Sequence, residues 1–345
     1  MRKGIAVAGN LIVDHVKITD IWPARGMLCN IEKEYRCIGG CAGNTAAGLA
    51  IMDSSIPLSC YGRTGTDEDG EFIRSQLKKL GVPVEGIQYS PEESTSYTDV
   101  MSVKATGERT FFHRRGANKE FVLSEEEIAC MEASILHIGY ALLLDAMDAR
   151  EEVYGSVMAK TLAMAQKRGI QTSMDVASEE GGRFGQVVAP CLKYCDYFIA
   201  NEIEGGNITD ITPRDRQGNI DKKKIKEILL RLHRMGVGTL AVIHAPEGGY
   251  ALDCQGNYWE APGFCLPEGF IKGSVGAGDA FCAGMLYALY QEYPVKEALQ
   301  FANLSAVCSL TAEDSISGMR RLAEMERLGI ELARGISEIA QRHRP

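Results

Sequence analysis

From Ala133 onward the chain alternates short runs rich in β-branched residues with stretches of helical periodicity, and this alternation constrains the fold more than any other feature. SILHIGYALL is followed by a helix over 147–168, QTSMDVA, a segment ending DYFIAN, a helix over 221–235, GTLAVIHA, a hairpin over 249–260, and a helix opening inside GSVGAGDAFCAG, residues 273–284. Parallel strands need a long crossover, and the helix that supplies it covers one face of the sheet. The expected class is therefore α/β, with a mostly parallel sheet covered by helices on both faces.

The first third of the chain fits that alternation less well. GIAVAGNLIVDHV reads as a buried strand leading to a more exposed one, and MLCNIEKEYRCI, residues 27–38, as another strand. GGCAGNTAAGLAIMD opens a helix at a glycine turn, PLSCYGRTG is a strand, and DGEFIRSQLKKLG a helix. SYTDVMSVKATGERTFFHRR, residues 96–115, has strand-like runs on either side of Ala105-Thr106-Gly107, which makes it a hairpin. The strands within residues 10–38 and 96–115 are expected to form a small sheet projecting from the main layer, in one domain spanning residues 1–345. The tail after Gly318 is charged and amphipathic, the pattern of a helix packed on the surface.

Composition narrows the choice of partner. The 345 residues are 45% hydrophobic, enough for a substantial core. A net charge of -9 with both signs interspersed argues against nucleic acid or an anionic membrane as the main partner, and no apolar run approaches the length of a membrane span. Eleven cysteines, an odd number, with no signal-peptide pattern at the start, point to reduced thiols in the cytoplasm. The CxxxC pairs Cys37/Cys41 and Cys191/Cys195 lack the histidines of a zinc site and read as core packing.

The chemistry concentrates at Gly276-Ala277-Gly278-Asp279. A GxxxxGK[ST] phosphate loop and an opening GxGxxG are both absent, whereas this turn lets an anion approach the unpaired amides at a helix start. Asp279 then has two readings: a helix cap, or a base that takes the proton from a hydroxyl attacking a phosphoryl group held by those amides. Asp14 reads as a turn residue or a hydroxyl acceptor, and Asn44 as a helix cap or a hydrogen-bonding partner of a polyol. Asn201 and Glu204 have capping-box spacing, which Gly205 and Gly206 weaken, since a cap is of most use before a long regular helix.

Together with the GGxxxN turn at Gly39, Gly40 and Asn44 and the NxxE of Asn201 and Glu204, the GAGD helix resembles the signature of the ribokinase-like (PfkB) carbohydrate kinases. The likeness runs in order and spacing from Gly4 to Gly318. The resemblance implies a three-layer α/β/α sandwich with a small β lid, and transfer of the ATP γ-phosphate to a sugar or nucleoside hydroxyl with Mg2+. It further implies Asp279 as catalytic base, Gly276, Ala277 and Gly278 as anion hole, and Asp14, Gly39, Gly40 and Asn44 as acceptor-binding residues. Asn201 and Glu204 would order the phosphates, with Glu204 reaching the metal through water. His244 and Gly249 of HAPEGG stand on the nucleotide side, where histidine can donate to a phosphate but Pro246 removes an N–H.

Two departures and one lid segment bear on specificity. Gly273 stands where the family signature begins with an aspartate that commonly helps bind a monovalent cation, which puts potassium activation in question. Ile12 replaces the polar residue of ribokinases proper and argues against ribose as acceptor. In ERTFFHRRGAN, strand alternation lets only one set of His113, Arg114 and Arg115 look inward, and an inward cation would suit an acidic sugar. The expected function is an ATP-dependent sugar kinase. The alternatives are a nucleoside kinase, which would stack a base on lid aromatics, and a catalytically weak sugar sensor. The lid's exposed edge offers a homodimer contact.

Overall fold

Ile5, Ala6, Val7 and Ala8 are buried on both faces, as only the interior of a helix-covered sheet allows. The computed structural model describes residues 2–179 and 182–342, with side chains described up to Ala333. In chain order, β1 (Ile5–Gly9), β2 (Ile12–Thr19) and β3 (Ile31–Gly39) precede α1 (Cys41–Met52), β4 (Leu58–Thr64), α2 (Glu68–Lys79) and β5 (Ile87–Tyr89). Next come β6 (Ser96–Val103), β7 (Arg109–Arg114), α3 (Glu125–Cys130), β8 (Ile135–Ala141) and α4 (Asp145–Asp148). A short ribbon, β9 (Arg150–Glu151) and β10 (Gly155–Ser156), leads to α5 (Val157–Lys167), β11 (Gln171–Val176), α6 (Phe184–Leu192), β12 (Tyr197–Asn201) and α7 (Glu202–Thr209). The chain continues through α8 (Lys222–Met235), β13 (Leu240–Ala245), β14 (Gly248–Asp253), β15 (Tyr258–Pro262), α9 (Ala277–Tyr290), α10 (Val295–Ser309) and α11 (Leu322–Arg342).

Nine strands form one sheet in the order β15-β14-β13-β12-β11-β8-β1-β4-β5, parallel except where β14 pairs with β13 and β15. Alternate residues of β1 feed two cores. Ile5 and Val7 join the side of α1, α9 and α10, whereas Ala6 and Ala8 join α5, α6 and α8. The sandwich is thus three-layered, as expected. Helix α9 is buried on almost every side, and its small residues permit that. A Cβ on Gly284 would meet the Ala302 Cα of α10 at 2.9 Å, so any larger residue would push the two helices apart.

The remaining long strands make the separate small sheet, in the order β3-β2-β6-β7. Its register sets side chains in rows on one face: Cys37, Asp14, Thr98 and His113; then Tyr35, Val16, Val100 and Phe111; then Lys33, Ile18, Ser102 and Arg109. One sequence expectation needs correction. The helix over 147–168 is broken, because Gly155 takes φ 94 and Ser156 caps α5 by accepting from the Ala159 amide, which leaves the preceding residues to the β9-β10 ribbon. The tail packs through Met325, Leu328 and Leu332, and the four cysteines of the CxxxC pairs are buried free thiols. Among the described residues no helix is long and apolar enough to cross a membrane.

Candidate active site

The C-terminal ends of parallel strands are where an open α/β sheet binds its ligands. Here Tyr140 from β8, Asp175 from β11, Asn201 from β12 and His244 from β13 converge with Gly276, Gly278 and Asp279 around a cavity of about 420 Å³. Phe111 overhangs it from the small sheet. Gly276 takes φ 76, and a Cβ there would lie 2.5 Å from the Ser315 Cβ. It offers α9 no side-chain cap, and Gly278 presents bare backbone beside the His244 ring. The helix therefore meets the cavity with uncapped amides and the positive end of its dipole.

Asp279, in the first turn of α9, is 4% exposed and does not cap the helix. Its Oδ2 accepts from Asn44 Nδ2 at 2.7 Å and from the Tyr140 hydroxyl at 3.1 Å. Asn44 is likewise no cap: it lies inside α1, and its Oδ1 accepts from the Ser315 hydroxyl at 2.8 Å. Burial, and then the Asp175 carboxylate, push the Asp279 pKa up to about 7 against the pull of these hydrogen bonds. Asp14 sits in the middle of β2 rather than in a turn, and burial followed by the Asp279 charge raises its pKa to about 7 as well. Gly39 makes room for it, since a Cβ there would stand 2.4 Å from Asp14 Oδ2. Gly40 turns the chain into α1 with φ 80, where a Cβ would strike the Asn10 carbonyl at 2.4 Å.

Asn201 and Glu204 do form a complete capping box at the start of α7, despite the two glycines that follow. The same pair also lines the cavity. Burial raises the Glu204 pKa to about 8, although the Ser178 hydroxyl donates to its Oε1 at 2.7 Å. His244 stacks on Phe281 with ring centroids 4.6 Å apart, and burial pushes its pKa down to about 4, so the ring is neutral. Gly249 is not brought to the cavity wall. It pairs with His244 across the β13-β14 hairpin, and its Cβ position is filled by Leu299 and Phe281 at 3.1 and 3.2 Å, which makes it a packing glycine.

Sequence reasoning missed Tyr140, Asp175, Ser178 and Ser315. Tyr140 holds a left-handed φ of 57, costly for a bulky residue, and its amide donates to Asp175 Oδ1 at 2.6 Å. The signal available was position: Tyr140 and Asp175 lie near the C-terminal ends of the expected strands, at the edge where such sheets bind.

Two groups bear on metals. His137, Asp175 and Cys282 bring one ligand atom each within 4.8 Å of one another, with the His137 ring also bonded to the Ser173 hydroxyl. Asp175, Glu204 and Asp279 present three carboxylates to one cavity whose described lining holds no lysine or arginine. Oxygen donors with room for water are what Mg2+ takes, so this set fits that ion. The raised carboxylates also predict a pH dependence of stability. Asp14, Asp279 and Glu204 bind protons more tightly folded than unfolded, so their contribution is full at low pH and is lost as pH rises through their folded values. The thermal midpoint of the ligand-free protein is expected to fall between about pH 6.5 and 8, where unfolding releases more protons from the three carboxylates than it takes up on His113 and His244, whose pKa values burial lowers. A midpoint that rises over that interval in a calorimetric series would contradict these assignments.

A family model described as pfkB family carbohydrate kinase matches residues 2–321. The chain belongs to that family. As a PfkB kinase it is an ATP-dependent sugar kinase, a phosphotransferase. It is 23% identical over 321 residues to the ribokinase of Haemophilus influenzae, covering 92% of this chain and 96% of that one. It is 26% identical to fructokinase-2 of Oryza sativa over 309 residues, 84% of each chain, and 22% identical to a 5-dehydro-2-deoxygluconokinase of Halalkalibacterium halodurans over 298 residues, 83% of this chain and 84% of the relative. The PfkB kinase fold is matched by Arabidopsis thaliana ribokinase solved with ribose and ATP, with a TM-score of 0.77 at 20% identity over 95% of this chain and 99% of the other.

Proposed function

We propose that this PfkB kinase transfers the γ-phosphoryl group of ATP to a sugar hydroxyl with Asp279 as the base. The observation that carries the reading is the split use of one carboxylate: both hydrogen bonds to Asp279 fall on Oδ2, which leaves Oδ1 for the acceptor. A base works best with a pKa near the operating pH, and a value of about 7 meets that condition. Asp14, Gly39, Gly40 and Asn44 shape the acceptor side. The amides of Gly276, Ala277 and Gly278 face the charge that develops on the transferred group. Asn201, His244 and Glu204 face the nucleotide phosphates, with Asp175 and Glu204 holding Mg2+, directly or through water. When bound, Mg2+ neutralises phosphate charge during transfer. The overhanging small sheet keeps water from competing with the sugar.

A nucleoside acceptor is the second reading, favoured by Phe111 and Tyr35 on the inner face of the lid. A nucleoside kinase of Methanocaldococcus jannaschii shares the fold, with a TM-score of 0.72 at 16% identity over 94% of this chain and 98% of that one. ADP release with Mg-ATP over a panel of sugars, sugar acids and nucleosides decides between them. Turnover with a sugar or sugar acid is expected, and turnover confined to nucleosides would overturn the first reading. Sugar-induced thermal stabilisation with no turnover on any compound would replace both by the sensor.

A further inference from the structure

A second, larger cavity of about 1120 Å³ lies between the small sheet and residues 271–275. It is continuous with the Asp279 cavity, since Phe111, Tyr140 and Ser178 line both. Its charge runs against that of the chain: Lys33, Lys104, Arg109 and Lys272 face Glu32 and Glu313 in a protein of net charge -9. Lys104 pairs with Glu32, and Lys33 lies 3.5 Å from Glu313. Lys272 and Arg109 have no carboxylate partner among the described residues. Arg109 Nη2 donates to the Glu313 backbone carbonyl at 3.2 Å, while its Nη1 is buried and unbonded. A buried guanidinium N–H without an acceptor is costly, and a ligand oxyanion would supply one.

Position 273 is what allows this arrangement. A Cβ on Gly273 would lie 3.0 Å from Arg109 Nη2 and 2.7 and 2.9 Å from the carbonyls of Ala312 and Glu313. Any side chain there would displace the guanidinium from its seat. Arg114, at 54% exposure, faces away, and Arg115 is engaged by Asp145 and Glu179. Of the cations on β7, the one that lines this cavity is Arg109, in the row with Lys33 and Ser102. That row lies four residues along β2 from Asp14, about 13 Å. An arginine side chain and a six-carbon sugar together bridge such a gap.

We propose that the acceptor is an anionic monosaccharide, a sugar acid or sugar phosphate, held by its carboxylate or phosphate on Arg109 and Lys272 with its hydroxyl end toward Asp279. This rests on the sugar-kinase reading above. The chemistry recognised is an oxyanion, and the nucleotide's own phosphates are the competing source. The test compares a hexonate, a hexose phosphate and a neutral hexose in wild type, Arg109→Gln and Lys272→Gln, by steady-state kinetics and by thermal shift without nucleotide. Wild type is expected to prefer one of the two anions over the neutral sugar. Arg109→Gln should cut that preference by about tenfold to a hundredfold through KM, as loss of a charge-assisted hydrogen bond does. Lys272→Gln, on a more exposed side chain, should act in the same direction and covers the case in which the Arg109 variant fails to fold. Preference for the neutral sugar, or a rise in KM for ATP in place of the acceptor's, would overturn the proposal. Anion-dependent thermal shifts lost in the variants, with no phosphorylation of any sugar, would uphold the anion site and sink the kinase reading instead.

Discussion

Asp279→Asn is expected to lower kcat by about a hundredfold to ten-thousandfold, the range typical of a lost general base, while calorimetric affinities for acceptor and nucleotide stay close to wild type. The amide has the same shape, and its oxygen can still accept from Asn44 and Tyr140, so the helix start and its neighbours have no reason to move. It cannot take up a proton. The same substitution should raise the thermal midpoint at about pH 8, because it removes a buried carboxylate that the Asp175 charge already disfavours. Loss of turnover with gain of stability separates a catalytic role from a structural one. Retention of kcat within tenfold would remove Asp279 from the role of base.

Gly39→Ala is expected to fold and yet lose about tenfold to a hundredfold in kcat/KM for the acceptor, mainly through KM. Gly39 is not in the left-handed region, so its backbone accepts alanine. The nearest obstacle is Asp14, whose Oδ2, Cγ and Oδ1 would stand 2.4, 2.7 and 2.8 Å from the new Cβ. The methyl group therefore acts as a wedge against one carboxylate. If Asp14 holds acceptor hydroxyls, Asp14→Ala should show a similar loss, and the double variant little more than either single, since both remove one interaction. Additive losses would mean that Gly39 and Asp14 act separately.

Much of the fold was legible because it rests on local signals that agree with one another. Strands β8, β11, β12 and β13 are short, largely buried and bounded by helices, and the GAGD turn announces a helix whose start lacks a cap. What escaped was what only the tertiary arrangement creates. Tyr140 and Asp175 are ordinary letters at strand ends until the parallel sheet brings those ends side by side. Ser315 lies 271 residues from Asn44, whose amide it orients. Gly249 stands in a motif position, and its lack of a side chain also lets Phe281 and Leu299 pack against it. The break in the helix over 147–168 was written in Gly155-Ser156, and its helical neighbours outweighed it. Arg109 drew no notice because its significance depends on the absent side chain at Gly273, in another part of the sequence.

The central claim is that Asp279 is the base, and the pH dependence of kcat/KM for the acceptor at saturating Mg-ATP tests it most directly. With Asp279 and Asp14 both raised to about 7, the free enzyme should titrate as a coupled pair. The rate should fall about tenfold per pH unit below about 7 and level off above it. A profile flat from about pH 5.5 to 8 would contradict the account, since a base with an ordinary aspartate pKa, or no base at all, gives no slope in that interval.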